Sequence, residues 1–430
     1  MSEALNVAVA GLGTVGGGTV RILHENADLL ARRCGRAIHL CAVADPRRHD
    51  RLNDCLDGVE WLDDALALVE DPNVDVIVET IGGSDGIAKK LCEAALKKGK
   101  SIVTANKALI AHHGMALTKI AEQSGATLAF EAAVAGGIPI IKSVREGLAA
   151  NTISKVYGIL NGTCNYILTE MRETGRDFEV VLKEAQEKGY AEADPTFDVD
   201  GIDTAHKLAI LSSLSFGCEI DFDSVHIEGI RSVSATDIQY ADELGYRIKL
   251  LGIATISEKG LVQRVHPCMV PLSAPIAPIE GVFNAVVAEG DFVDTVMQVG
   301  RGAGERPTAS AVVADIGDIA AGRRTQTLSV PLKDLKKAPP VPMTEHVGEY
   351  YVRLTVVDKP GAFADIAAIL RDHDVSMEAV LQRARDPGEA VPVVLTTHEA
   401  KEADMAEAVK QIHSLDAVAE SPCIIRIESF

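Results

Sequence analysis

Positive charge is what this sequence has too little of: 42 Lys and Arg stand against 62 Asp and Glu, a formal net charge of -20. A phosphate backbone needs a basic face, and no lysine cluster is long enough to make one, so nucleic acid is excluded as the partner. No apolar run reaches the length of a membrane span. Met1-Ser2-Glu3-Ala4-Leu5 has neither the basic residues nor the apolar stretch of an export signal. The eight cysteines (Cys34, Cys41, Cys55, Cys92, Cys164, Cys218, Cys268, Cys423) form no C-x-x-C pair and stand beside no histidine pattern, which argues against zinc and a disulfide framework. The expectation is a reduced, cytoplasmic chain whose acidity serves solubility. Apolar residues are plentiful, 47% against 24% charged over 430 residues. That is material for roughly two to four domains with real cores.

The first third reads as a dinucleotide site. Asn6 to Ala10 is a buried-type strand feeding Gly11-Leu12-Gly13-Thr14-Val15-Gly16, a G-x-G-x-x-G turn that opens a helix through Val20 to His24. Glycine is wanted there because a side chain would hold the backbone away from a pyrophosphate, whose charge is met by the helix's first N–H groups. Strand-like and helix-like segments then alternate: Ile38 to Asp45, Asp63 to Glu70, Val74 to Glu79, Ile87 to Lys98 and Ser101 to Thr104. That order predicts a doubly wound parallel sheet of the Rossmann type over residues 1–134, with ligands at the strands' carboxyl ends. Asp45 ends the second strand, where an acid takes ribose hydroxyls. Arg47 and Arg48 follow it and suit a 2'-phosphate, so NAD and NADP are both open, as is a plain pair of surface arginines.

Lys107, closing Val103-Thr104-Ala105-Asn106-Lys107, should point from a strand end into the cleft where a nicotinamide would lie, or else snorkel to water. Phe130 to Pro139 reads as an apolar strand carrying Glu131 into a glycine bend. Glu131 with exposed carbonyls suits a hard cation, although such bends are also ordinary turns.

Residues 135–304 turn to an α+β pattern: a strand over Thr152 to Leu160, a tight turn at Asn161-Gly162-Thr163, helices over Tyr166 to Arg172 and Phe178 to Lys188, and a hairpin about Lys259-Gly260. A sheet with helices on one face leaves the other needing cover, and dimerisation is the expected solution. Between Tyr190 and Leu208 lie Glu192, Asp194, Asp198, Asp200 and Asp203 on a broken stretch, followed by Lys207 at helical spacing. Read locally, Asp200 is a helix N-cap and Asp203 to Lys207 an i,i+4 surface pair. Gly300 to Gly304 precede Pro307 and a helix from Thr308 to Ala320. This is either a backbone-lined anion site or a hinge, with 305–325 packing back on the first unit. Pro331, Pro339, Pro340 and Pro342 mark a linker over 326–348. Beyond it, residues 349–430 read β-α-β-β-α-β, a ferredoxin-like unit, with Pro392 just before one strand.

Six separate motifs resemble homoserine dehydrogenases over nearly the whole chain: G-L-G-T-V-G at Gly11, V-T-A-N-K ending at Lys107, F-E-A-A-V-A-G-G-I-P from Phe130, N-G-T-C-N-Y-I-L from Asn161, the acidic stretch ending at H-K-L, and G-A-G-x-x-P-T-A-S-A from Gly302. The tail, with D-K-P-G at Asp358, is similar to ACT domains, which bind free amino acids. The resemblance implies NAD(P)-dependent interconversion of L-homoserine and L-aspartate 4-semialdehyde in threonine, methionine and isoleucine biosynthesis. It assigns proton transfer to Lys207, and it places Lys107 between cofactor and substrate. Glu192 and Asp203 hold the substrate ammonium and orient the lysine, with Thr163 and Asp198 beside them. Gly11, Gly13, Thr14, Val15, Gly16 and Gly302 line the cofactor. Glu131 and the carbonyls of Val134, Gly136 and Ile138 hold a sodium ion. Threonine is the expected effector, at Asp358 to Gly361, and a homodimer the expected assembly. Two rivals are a thioester-forming semialdehyde dehydrogenase with Cys164 as nucleophile and a non-catalytic amino-acid sensor.

Overall fold

The computed structural model describes residues 3–357, 359–382 and 389–430. Six short strands make a wholly parallel sheet in the spatial order Glu60–Leu62, Ile38–Ala44, Leu5–Ala10, Val76–Glu79, Ser101–Thr104, Leu128–Ala129. The strands are mostly apolar because both faces are covered: Val7, Val9, Val76 and Val78 meet helix Glu305–Ala320 on one side, while Ala8, Ala10 and Ile77 meet the helices of the other. The order reverses between Leu5–Ala10 and Val76–Glu79, so the crevice of this sheet opens beyond Ala10 and Glu79. Helix Glu305–Ala320 crosses Thr14–Glu25 at Gly18, where a Cβ would lie 2.8 Å from Glu305 and 3.1 Å from the Cβ of Ala309. This helix begins three residues earlier than its proline suggested, since Pro307 fits within a first turn.

The second sheet has eleven strands, nine of them in the order Asp294–Arg301, Phe283–Gly290, Ile153–Ile159, Tyr246–Ser257, Gly260–Pro271, Cys423–Ile427, Val347–Val357, Ala390–Thr397, Met377–Gln382. On one face Leu250, Ala254, Val265, Met269 and Val286 pack with helix Ile202–Phe216. The opposite face is covered from within the chain, by Ala274, Ile276 and Ala277 over Leu251, Ile253, Cys268 and Val270. Burying that part of the sheet therefore does not call for a second copy.

The tail has the β-α-β-β-α-β order, with helices Ala362–Asp372 and Glu402–His413 on one face of its strands. Its independence is corrected by the structure. Cys423–Ile427 pairs in parallel with Gly260–Pro271, Cys268 opposite Arg426, so the tail's strands continue the middle sheet. The proline-rich stretch is no free tether either. Lys336 N donates to Gly217 O and Glu219 N to Lys336 O at 3.0 Å each, and Leu261 exchanges bonds with Pro339 and Val341 at 2.9 Å. Prolines remove donors but keep carbonyls, and these carbonyls find partners.

Four local expectations also change. Asp63 to Glu70 yields only the turn-length helix Ala67–Glu70. The strand expected over Phe130 to Pro139 stops at Ala129 and gives way to a 3₁₀ turn, Glu131–Ala133, because Ala135 (φ 54°) and Gly136 (φ 49°) both take left-handed backbone that no strand accommodates. Pro392 lies inside its strand, opposite Thr355. Asn161 to Thr163 is the start of helix Gly162–Thr174, with Asn161 Oδ1 accepting the Cys164 N–H at 2.8 Å.

Candidate active site

The glycine loop shows which of its positions a ligand would use. A Cβ on Gly11 would sit 2.8 Å from Thr80 O and one on Gly16 only 1.8 Å from Gly11 O, so those two are glycine to let the chain close on itself. At Gly13 a Cβ would meet nothing within 4 Å, and Gly13 and Thr14 are exposed, with Val15 half-buried behind them. Helix Thr14–Glu25 has no side-chain cap and no acid in its first turn, leaving its N–H groups and their partial positive charge open to a pyrophosphate. Asp45 differs from its expected role. It is 5% exposed, and its carboxylate accepts Leu12 N at 2.7 Å and Arg47 N at 2.9 Å, with His49 Nε2 3.2 Å away. It fastens the glycine loop to the second strand instead of standing open to a ribose. Arg47 is exposed, and Arg48 lies 4.3 Å over the Trp61 ring. Arg51, which carried no local signal, donates to Gly13 O at 2.9 Å and to Leu12 O at 3.3 Å and puts a cation directly over the loop.

The acidic stretch and the two lysines converge on one carboxylate. Lys107 begins helix Lys107–Ser124, and its Nζ lies 2.7 Å from Asp203 Oδ1. Lys207, one turn after Asp203 on helix Ile202–Phe216, places Nζ 2.7 Å from Oδ2 and 2.6 Å from Leu160 O. Asn161 Nδ2 bridges Asp203 Oδ2 and Asp198 Oδ1 at 2.8 Å each. Asp203 and Lys207 are buried, at 2% and 7% exposure, so the i,i+4 pair is not a surface one. Nor is Asp200 the cap: Gly201 (φ 85°) takes that position and Asp200 pairs with Arg231. Both Asp203 oxygens face the chain's own cations, Lys107 and Lys207. Beside this centre Glu192 is exposed and Asp198 half-buried. The Thr163 hydroxyl is tied to Tyr190 O at 2.7 Å and holds the loop carrying Glu192.

Charge follows from this packing. Burial would raise the Asp203 carboxyl, but Lys107 and Lys207 hold it well below the usual carboxylate range. The Asp203 charge raises Lys107 against the effect of burial. For Lys207 burial outweighs Asp203 and leaves the ammonium below the ordinary lysine range. One lysine is therefore a fixed cation, and its neighbour is a readier proton donor. Cys164 is fully buried, its thiol donates to Asp198 O at 3.2 Å, and burial pushes its pKa far up, so it is not a nucleophile.

At the joint of the two sheets, a Cβ on Gly136 would strike Gly302 O at 2.3 Å, and one on Gly302 would strike the Asn284 side chain at 2.1 Å. Gly302 itself is buried, while Ala303 and Gly304 are exposed. Glu131 is 2% exposed, its two oxygens accepting Ile141 N and Lys142 N at 2.9 Å. Its backbone N–H goes to Asp315. Burial and the Asp315 charge push the Glu131 carboxyl up to about 7. Ile138 O accepts Ile140 N at 2.7 Å, and Val134 is buried beside it. In the tail, Gly361 (φ 94°) opens helix Ala362–Asp372, and Asp358 lies outside the described residues.

Fold and site together define an oxidoreductase that uses a nicotinamide cofactor: an open parallel sheet with a bare glycine loop faces a buried lysine–carboxylate centre. Comparison with known proteins names the kind. The family models for the homoserine dehydrogenase NAD-binding domain, for homoserine dehydrogenase and for the ACT domain match residues 11–131, 139–316 and 350–417. The chain is 44% identical over 433 residues to a homoserine dehydrogenase of Neisseria gonorrhoeae, covering 99% of each. Its fold matches the crystal structure of a homoserine dehydrogenase from Thiobacillus denitrificans at 45% identity and a TM-score of 0.93, covering 99% and 98% of the two chains. A hyperthermophilic archaeal homoserine dehydrogenase solved in complex with NADPH matches 75% of this chain and 99% of its own, at 27% identity and a TM-score of 0.65. The chain belongs to the homoserine dehydrogenase family. Among the described residues no helix is long and apolar enough to cross a membrane.

Proposed function

We propose that the chain interconverts L-homoserine and L-aspartate 4-semialdehyde at the Asp203 centre, with Lys207 as the proton donor and acceptor. The observation that carries this is the buried Lys207 ammonium: two of its three hydrogens are directed at Leu160 O and Asp203 Oδ2, which leaves one for a substrate oxygen. A nicotinamide bound at the glycine loop supplies hydride to the aldehyde carbon or accepts it from the alcohol carbon. As negative charge gathers on the aldehyde oxygen, Lys207 Nζ hands over its free proton; in the reverse direction the neutral amine takes the proton from the hydroxyl. Lys107, held cationic by Asp203, screens the growing oxyanion from the cofactor side. Glu192 and Asp198 hold the substrate's ammonium. Lys207→Ala should lower kcat by about 100-fold or more and leave cofactor affinity intact. A folded variant that turns over normally by nicotinamide absorbance rejects this role.

NADP is accepted at this site on the reading that Arg51 lies on the loop, that Arg47 and Arg48 follow the second strand, and that Asp45 is buried. Arg47→Ala with Arg48→Ala should raise KM for NADP and not for NAD. Sodium is supported by the chemistry of the joint: Lys142 is shared among buried Glu131 and Asp315 and half-buried Asp318, and an ion held by Glu131 with the carbonyls of Val134, Gly136 and Ile138 would add positive charge there. Because the Glu131 carboxyl ionises near 7, stability is lost as pH rises toward that value. Sodium should then raise Tm at pH 8 and do little at pH 5.5, with choline as control; an equal effect at both would reject the site. Threonine is the proposed effector at Gly361 and its neighbours in the tail, tested by titration calorimetry. A homodimer is the proposed assembly, supported by exposed Phe283 and Val299 on the outer hairpin and Val380 on the edge strand Met377–Gln382. Light scattering measures its mass.

A further inference from the structure

The two lysines on Asp203 sit on different helices, and something must hold those helices in register. His112, on the helix that Lys107 begins, places Nε2 3.1 Å from Nε2 of His206, the residue between Asp203 and Lys207 on the other helix. At that separation the two imidazoles share one proton, one ring donating and the other accepting. His206 is 4% exposed and lies between two rings, Phe222 at 4.3 Å and Phe197 at 5.4 Å. Phe197 also carries the Lys107 ammonium 5.5 Å over its face. The charged and titratable groups around His206 are His112, Asp203, Lys107 and Lys207, and burial with His112 pushes its pKa down to about 4, so the ring is neutral at working pH.

We propose that the His112–His206 bond is a positioning contact for the reaction: it sets the spacing between the helix carrying Lys107 and the helix carrying Asp203 and Lys207. The proposal rests on the roles given above to those three residues. A ring kept only for packing could be replaced by leucine without cost to the chemistry; the Nε2 bond is what separates the two readings, since Nδ1 of His206 is buried without a partner. A bond that sets register would show itself in the chemistry, because a displacement of about 1 Å at reacting atoms costs about 100-fold in rate. Lys107 also lowers the Lys207 pKa as a like charge, so releasing one helix from the other changes how Lys207 titrates.

The test uses His206→Leu, His112→Leu and the double variant in the full chain, with His206→Gln as the polar replacement. Either single change should lower kcat about tenfold in both directions with cofactor KM unchanged. It should also move the alkaline limb of the kcat profile for reduction to higher pH. The double variant should be no worse than the worse single, since both remove one bond, and glutamine should restore part of the rate. Normal kcat with an unmoved limb, or additive losses of Tm alone, would overturn the proposal. His112 is exposed, so its variant tests the bond even where His206→Leu fails to fold. Should Lys207→Ala be inactive while the histidine variants are normal, only the histidine proposal falls. If Lys207→Ala itself turns over normally, the reading of the site falls instead.

Discussion

Two sets of buried charge along the second sheet are built from different cations. At the Asp203 centre, Lys107 and Lys207 take one oxygen each. Where the tail joins, Arg264 grips Glu428 through both oxygens at 2.7 and 2.8 Å. There Arg426 also donates to Glu228 at 2.8 Å through Nη1 and Nη2, and to Glu402 through Nε at 2.9 Å and again through Nη2. Arg353 adds a fork on buried Asp237 at 2.7 and 3.2 Å. Lysine concentrates its charge on one nitrogen that burial can make acidic; arginine spreads its charge over a planar fork that keeps its proton. One cluster is equipped to move a proton and the other to hold a joint.

The sharpest way to break that comparison is to change Lys207. Lys207→Arg keeps the charge and removes the acidity, so oxidation of the alcohol should fall by at least about 100-fold, nearly as for Lys207→Ala. Near-normal oxidation by the arginine variant would mean that charge alone is needed. In the wild-type protein the two directions should depend oppositely on pH. Reduction needs the ammonium and declines as pH rises through the depressed Lys207 pKa, while oxidation needs the amine and rises there. Parallel profiles would exclude Lys207 as the titrating group.

At the joint the effects are on stability. Removing the chain after Pro340 strips buried Arg264 of both Glu428 oxygens, a loss of partner that should cost about 3–5 kcal/mol. Denaturant unfolding should show a protein weakened to that degree; an equally stable truncation would mean the sheet does not depend on its continuation. Arg426→Lys keeps the charge and loses the fork, for about 1.5–3 kcal/mol, with kcat within about twofold. A large fall in kcat there would show that the joint reaches the chemistry. The smallest change, Tyr351→Phe, deletes one hydrogen bond to Asp237, 3.0 Å long, and should cost about 1 kcal/mol in the same unfolding assay.

Much of this was legible before any coordinates. G-x-G-x-x-G between strand and helix is local chemistry, and the alternating strands and the helix after Gly201 follow from hydrophobic period. The misreadings share a cause. Asp45 and Asp203 were both read by their places along the chain, yet what an acid does depends on the donors that reach it: Leu12 N for one, two lysines for the other. Arg51 and His112 carry no local signal, because each acts on a partner far away in sequence and nothing beside them marks it.

Sequence alone determined the nucleotide-binding turn, the succession of strands and helices, and the presence of two lysines and several acids suited to proton transfer; each depends on backbone preference or periodicity within a few residues. Tertiary structure decided that Lys107 and Lys207 share one carboxylate, that the lysine after His206 is the acidified one, and that the tail is sewn into the middle sheet. Those outcomes depend on how packed layers bring remote segments within about 3 Å and take them out of water, and burial and proximity of that kind are written in no short stretch of chain.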